Sequence, residues 1–374
     1  MGALINKNGT NITGVTFRVW APNATAVSVR GQFNNWGETI MTKDPFTDYW
    51  AVTNSAAKPD HEYKYFLKWA GNTNGTWKQD PRAVAVRNGN SVVYDQEAFA
   101  WGSGTSPVIP AAQQVMYQMH VGTFNDPDPQ DGRPGTFYDA IRRLDYLQRL
   151  GVNVLVLMPV HEFGGDLSWG YNPESVHAIE SAYGGPDAFK SFVKAAHERG
   201  IVVHLDVVHN HYNPSSEGLW EFDGPSNIYF YSGERASTDW GPRPDFDKPE
   251  VQRFIQDHTR MLLEKFRIDG FRWDSPENIT GYRSLGTYRV LPGGKKIMTE
   301  INRMIRTEFE AVSSVAETAN LLIIRTSPTT DPLGVFDASD SFHGHWNYGF
   351  FYGVIEQITS AQPNFVSISN LNIS

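Results

Sequence analysis

From residue 115 onward the chain alternates between two kinds of segment, and that alternation limits the folds open to it more than any other feature. A strand-like run, VMYQMHVGTF, comes first. Helix-like GTFYDAIRRLDYLQRLG (135–151) then leads to the uniformly apolar VNVLVLMPV (152–160), helix-like DAFKSFVKAAHERG (187–200) to IVVHLDVV (201–208), and EVQRFIQDHTRMLLEKF (250–266) to FRIDGFRWDSPENI (266–279). Strands that are apolar throughout, separated by amphipathic helices closed by glycine, predict a parallel sheet covered by helices on its outer face. A (β/α)8 barrel is the leading architecture. The competing doubly wound sheet usually carries a glycine-rich phosphate turn after its first strand, and HVGTFND does not fit that fingerprint.

Residues before 105 obey a different rule. Short alternating runs such as VTFRVWA, AVSVRGQF, YWAVT and YKYFLKW are separated by turn clusters of Asn, Gly, Pro and Asp, and no helix of normal length interrupts them. We therefore expect two domains: an immunoglobulin-like β-sandwich over 1–105 and a TIM-type α/β barrel over 106–374, with GSGTSPVIPAA (102–112) as the linker.

Composition excludes several classes of function. The chain has no cysteine, so disulfides, thiolate metal sites and a cysteine nucleophile are ruled out. A formal charge of -9 leaves no basic footprint for nucleic acid. The N-terminal MGALINKNGTNITG lacks a basic segment followed by an apolar core, and no run of 18 apolar residues occurs, so neither a signal peptide nor a membrane span is expected. Together these point to a cytoplasmic protein. The 22 Phe, 16 Tyr and 11 Trp supply flat faces that stack on sugar rings as readily as they fill cores.

In a barrel of this kind chemistry sits at the C-terminal ends of the strands. Those ends are polar on five successive strands: Tyr117 and His120; His161 and Glu162, followed by the aromatic loop SWGYNP (168–173); DVVHNH (206–211); Arg272 and Asp274; and Glu317 in VSSVAET (312–318). Arg272 and Asp274, two apart on an extended backbone, face the same side, and an arginine there favours the carboxylate a nucleophile requires. An Arg/Asp pair at a strand end is also an ordinary structural feature, and a lone histidine such as His120 or His161 is more often structural than functional. Five polar ends converging on one mouth are hard to derive from stability alone.

DVVHNH, GFRWD and VAET, in this order, resemble the first three signature regions of the alpha-amylase family, glycoside hydrolase family 13. The similarity extends over nearly the whole chain. YQMHVGTF, MPVHEFGGDLSWGYNP and STDWGPRPDFDKPEV are similar to glucan branching enzymes and to maltooligosyltrehalose trehalohydrolases, and GVTFRVWAPNATAVSVRGQFNNWG resembles the early-set, family 48 carbohydrate-binding module that precedes such barrels. The resemblance implies Asp274 as nucleophile, Glu317 as general acid and base, and Arg272 as the partner of Asp274. It further implies that Asp206 braces Arg272, that His211 hydrogen-bonds the sugar, that Tyr171 stacks beneath it, and that His120 belongs to the substrate-binding set. Trp36 and Trp77 are either sugar platforms or packing residues of the sandwich. Glu317 has no cation beside it in sequence, so desolvation is expected to keep its proton in place.

The implied activity is a retaining transfer or hydrolysis on an α-1,4-glucan or maltooligosaccharide through a glucosyl-Asp274 intermediate. Branching is favoured, with trehalohydrolase-type hydrolysis or an inactive glucan-binding remnant as alternatives. No metal or other cofactor is implied, since nothing around Asn210 supplies an oxygen cage. The family's fourth signature, an aspartate on strand 7, is not found, with Asp337 or Asp340 as candidate substitutes for it. The expectation is therefore a barrel that stops after strand 6, in a truncated member of the family.

Overall fold

The computed structural model describes residues 1–215, 217–309, 311–318 and 342–346. The N-terminal part consists of two antiparallel sheets. One has four strands, in the order Gly2–Asn8, Asn11–Trp20, Tyr49–Asn54, Thr42–Lys43; the other is built on the pair Ala24–Gly31 and Glu62–Trp69. The alternation visible in the sequence puts Val15, Phe17 and Val19 of one sheet and Tyr63, Tyr65 and Leu67 of the other inside, where the Phe17 and Tyr63 rings meet edge to face at 4.9 Å. Trp36 and Trp77 do not join this core. They stand half in solvent as an edge-to-face pair, 6.1 Å between ring centroids, with the Arg30 guanidinium 5.4 Å from the Trp77 ring.

The sandwich is tied to the second part by buried polar bonds. Lys78, almost fully buried, donates to the Trp220 carbonyl at 2.7 Å, and Asp223 accepts from the Asn23 backbone N–H at 2.7 Å. Burial pulls the Lys78 ammonium down to about 8. Each of these groups would be costly to leave unpaired.

The second part is a parallel sheet in chain order: β1 (Met116–Met119), β2 (Val154–Leu157), β3 (Val202–Val207), β4 (Gly270–Trp273), β5 (Ser313–Ala316) and β6 (Gly344–His345). Sequential parallel pairing with helical crossovers is the wall of a (β/α) barrel. Every residue of β2 and of β3 is buried, which explains why these strands do not alternate. Outside them lie α1 (Leu144–Leu150), α2 (Gly185–His197), α3 (Pro249–Phe266) and α4 (Pro292–Glu308). Each packs an apolar stripe inward, for example Phe189, Phe192, Val193 and Ala196 of α2.

Three details differ from expectation. The segment 135–151 is two short helices, Phe137–Ile141 and α1, separated at Arg142 and Arg143; the first is capped by the Thr136 hydroxyl, which accepts from the Asp139 N–H at 3.3 Å. Helix α3 ends not on glycine but on Arg267 in the left-handed conformation (φ 54°), held by stacking of its guanidinium 4.6 Å from the Trp101 ring. Between β4 and α4 a hairpin, Gly281–Ser284 with Thr287–Val290, turns at Leu285-Gly286 (φ 50° and 78°), where no Asn-Gly or Asp-Gly pair marks a turn in the sequence. The end of the barrel after strand 6, and Asp337 and Asp340, lie outside the described residues.

Candidate active site

Strand register delivers the first set of side chains. Asp206 of β3 lies beside Arg272 of β4, and Trp273 beside Ala316 of β5. The ladder continues one residue further, with Asp274 N–H donating to Val207 O at 3.1 Å and Glu317 N–H to Trp273 O at 3.0 Å. Asp274 and Glu317 therefore leave adjacent strands at the same level.

One guanidinium joins them. Arg272 Nη1 donates to both Asp206 carboxylate oxygens at 2.7 Å and to Asp274 Oδ1 at 3.1 Å, while Nη2 lies 2.5 Å from Glu317 Oε1. The second Asp274 oxygen accepts from the Asn210 amide at 2.7 Å. With one oxygen on Arg272 and the other on Asn210, the carboxylate has a fixed orientation. Burial works against the Arg272 charge, but the surrounding carboxylates outweigh it and hold its pKa above the usual arginine range. Burial pushes the Asp206 carboxyl up, opposed by Arg272 and by the Tyr171 hydroxyl, which donates to it at 2.7 Å. Removing the guanidinium, as in Arg272→Leu, should strand a fully buried Asp206 and cost about 3–5 kcal/mol of stability, measurable by urea unfolding.

Above this floor opens a cleft of about 680 Å³ walled by Tyr171, His211, Trp169 and Trp240. Tyr171 turns its ring toward the guanidinium, with the Arg272 carbon 5.9 Å from the ring centroid. His211 is held by the Asn210 side-chain oxygen at 2.5 Å and the Tyr171 carbonyl at 2.8 Å; burial lowers its pKa. Trp240 lies 5.9 Å from the His211 ring and is 60% exposed, and Trp169 is 70% exposed. Two indoles open to solvent at the mouth of a polar cleft suit the faces of sugar rings. Among the described residues no group of three or more His, Asp or Glu side chains is placed to hold a metal ion.

Sequence reasoning missed Trp169, Trp240 and Glu277 as lining residues, although the first two lie in the aromatic loops 168–173 and 218–241 that it singled out. Two expectations need correction. Glu317 is not remote from a cation: Arg272 reaches it from the neighbouring strand, with Nη2 2.5 Å from Oε1. His120 does not line the cleft; its Nδ1 meets the Thr123 hydroxyl at 2.9 Å, and its Nε2 meets the Ser168 carbonyl and the Tyr183 hydroxyl, both at 2.9 Å. It braces the loop that carries Trp169 and Tyr171. His161, another polar strand end, turns away into a buried cluster with His177, His209 and His258.

Comparison with known proteins matches residues 1–83 to the carbohydrate-binding module 48 (isoamylase N-terminal domain) and residues 118–218 to the alpha amylase catalytic domain. The chain belongs to the alpha-amylase family. It is 30% identical to a 1,4-alpha-glucan branching enzyme of Pseudoalteromonas atlantica across 95% of this chain and 51% of that protein. It is 36% identical to a malto-oligosyltrehalose trehalohydrolase of Arthrobacter ramosus across 72% and 45% respectively. Among solved structures it resembles a putative alpha amylase from Salmonella typhimurium, with a TM-score of 0.77 and 27% identity over 98% of this chain and 56% of that one. A pullulanase from Anoxybacillus complexed with maltotetraose follows at 0.69 and 25%, over 85% and 49%. This alpha-amylase family member thus spans about half the length of the curated relatives it matches. Among its described residues no helix is long and apolar enough to cross a membrane.

Proposed function

We propose that this chain carries the catalytic pair of a retaining enzyme acting on α-1,4-glucan, and that its reaction is transfer, as in glucan branching. The observation that carries the reading is the single Arg272 guanidinium bound to both Asp274 and Glu317 at the floor of an indole-walled cleft. A retaining glycosidase needs two carboxyl groups roughly 5–5.5 Å apart, one on each side of the scissile bond. Asp274 attacks the anomeric carbon while protonated Glu317 gives its proton to the departing 4-oxygen, leaving a glucosyl ester on Asp274. Glu317, now a carboxylate, takes the proton from an acceptor 6-hydroxyl, whose oxygen displaces Asp274 and closes an α-1,6 branch. With water as acceptor, the same steps yield a hydrolysed oligosaccharide or released trehalose.

The branching enzyme and the trehalohydrolase among the relatives support both outcomes, and the coverage of nearly the whole chain by the former favours transfer. The absence of cysteine agrees with a cytoplasmic location alongside stored glucan. Amylose incubated with the chain, followed by iodine colour, reducing ends and isoamylase-released chains, separates the outcomes. Transfer predicts falling colour and new branches with few new reducing ends; reducing ends rising in proportion to the loss of colour would establish hydrolysis instead.

The exposed Trp36–Trp77 pair supports a second glucan contact on the sandwich. Trp36→Ala should weaken binding to insoluble starch about 5- to 10-fold in a pull-down, the loss expected for one stacked ring of about 1 kcal/mol or more. Unchanged binding would leave the pair without a role in glucan recognition.

A further inference from the structure

The cleft does not end at Glu277. The same side chain lines a second, polar recess of about 290 Å³ between the loop around Glu234–Arg243 and the hairpin Gly281–Ser284/Thr287–Val290. That volume is at the lower end of the range for small-ligand sites, about 300–1,000 Å³. The recess is a built structure. Arg243, buried at its floor, spends its guanidinium on the Arg235 carbonyl at 2.7 Å and on the Asn278 carbonyl and side chain at 3.0 and 3.2 Å. The Tyr288 hydroxyl is occupied by Thr280 at 2.9 Å and the Glu277 carbonyl at 3.1 Å, and the Ser284 hydroxyl straps the hairpin to Glu234 at 3.3 Å.

The side chains left to face a ligand are Asp239, Tyr282 and Arg283, with Glu277 at the passage to the cleft; the Thr238 hydroxyl is held within its own loop, donating to the Gly241 carbonyl at 3.1 Å. Acidic and basic side chains are mixed, so no net field selects an anion or a cation. Hydroxyl-rich neutral molecules, which donate and accept in turn, fit such a lining. Position settles which part of the substrate this is. Glu277 lies on the Glu317 side of the cleft: the Ser275 N–H, two residues before it, donates to Glu317 Oε2 at 3.3 Å, Ser275, Glu277 and Glu317 line the same cleft, and one Glu277 carboxylate oxygen is buried without a hydrogen-bond partner among the described residues. The acid's side of the scissile bond is where the leaving chain departs and the acceptor arrives.

We propose that this recess binds the acceptor-side glucan chain, with the hairpin as its outer wall. The proposal rests on the glucan reading of the cleft. Calorimetric titration of the whole chain carrying Asp274→Asn, which keeps the sugar intact, with maltotriose and maltoheptaose tests both. Wild-type surroundings should bind maltoheptaose more tightly than maltotriose. Adding Asp239→Ala and Arg283→Ala, both exposed side chains, should remove about tenfold of the maltoheptaose affinity, the worth of one or two polar contacts. Full maltoheptaose affinity in that variant, with a loss on Trp240→Ala, would place the glucan in the cleft alone and overturn the recess. No binding of either sugar to Asp274→Asn would overturn the glucan reading itself, and the recess with it.

Discussion

Asp274→Asn should reduce turnover of amylose by at least about 10⁴-fold while maltooligosaccharide affinity stays within about threefold of the unsubstituted chain. Asparagine has nearly the same shape as aspartate, and Arg272 retains Asp206 and Glu317 as partners, so the cleft keeps its walls. What disappears is the oxygen proposed to form the glucosyl ester, and an amide is a poor replacement for it. The contrast between lost turnover and kept binding separates chemistry from folding. Turnover within tenfold of the original would remove Asp274 as nucleophile and leave the Arg272 pair as a structural device.

His161→Phe should stabilise the fold, and by a growing margin as the solution is acidified. His161, His177, His209 and His258 form one buried cluster, with ring centroids 4.6 Å apart for His161–His258 and 5.0 Å for His177–His258 and His209–His258. His209 has Tyr212 and His258 as hydrogen-bond partners at 2.7 and 3.0 Å, and His177 has the Phe254 carbonyl at 3.1 Å. Neither nitrogen of His161 has a partner among the described residues. Burial drives its pKa from the ordinary 6.5 down to about 3. A group depressed on folding contributes no penalty above its unfolded pKa and costs stability as pH falls from 6.5 toward 3, about 1.4 kcal/mol per pH unit.

At pH 5 the histidine should therefore cost about 2 kcal/mol, added to the 1–3 kcal/mol typical of a buried unpaired polar group. A comparison of variants is needed because nearby groups titrate in the opposite sense. Burial raises Glu162 to about 7 and Glu180 to about 8, so their contribution to stability increases as pH falls from there toward the usual carboxylate range. Arg82, held to Asp257 at 2.6 Å, adds positive charge that further disfavours protonation of His177 and His258. Urea unfolding of the wild type and of His161→Phe between pH 7 and pH 5 checks this. A difference that does not change with pH would mean that His161 is not kept neutral in the fold.

The strands were legible because burial on both faces leaves a plain mark in sequence: Val154 to Leu157 are apolar at every position and buried at every position. The Arg272–Asp274 pair was legible because spacing along one strand fixes which side chains share a face. Contacts between strands were not. That Arg272 also reaches Glu317 depends on the register of β4 with β5, which no local pattern encodes. Polar strand ends were an overinclusive signal: His161 opens a short antiparallel pair, His161–Phe163 with Pro173–Ile179, and so turns into the histidine cluster, whereas His120 is held by loop partners 48 and 63 residues away in the chain. Trp169, Trp240 and Glu277 reach the cleft from loops whose course is set by tertiary contacts. Their types hinted at sugar, but their places could not be derived. Helix α4 did leave a mark, Ile297, Ile301 and Ile305 at helical spacing, behind a Pro-Gly-Gly start that obscured it.

As the proposed nucleophile, Asp274 should become covalently glycosylated during turnover. The most direct test is to incubate the chain with a 5-fluoro maltosyl fluoride, whose second fluorine slows the oxocarbenium-like steps, quench in acid and map the product by peptide mass spectrometry. One added 5-fluoromaltosyl group is expected on the peptide containing Asp274, and none in Asp274→Asn. An adduct on another residue, or none from folded protein that binds maltoheptaose, would contradict it.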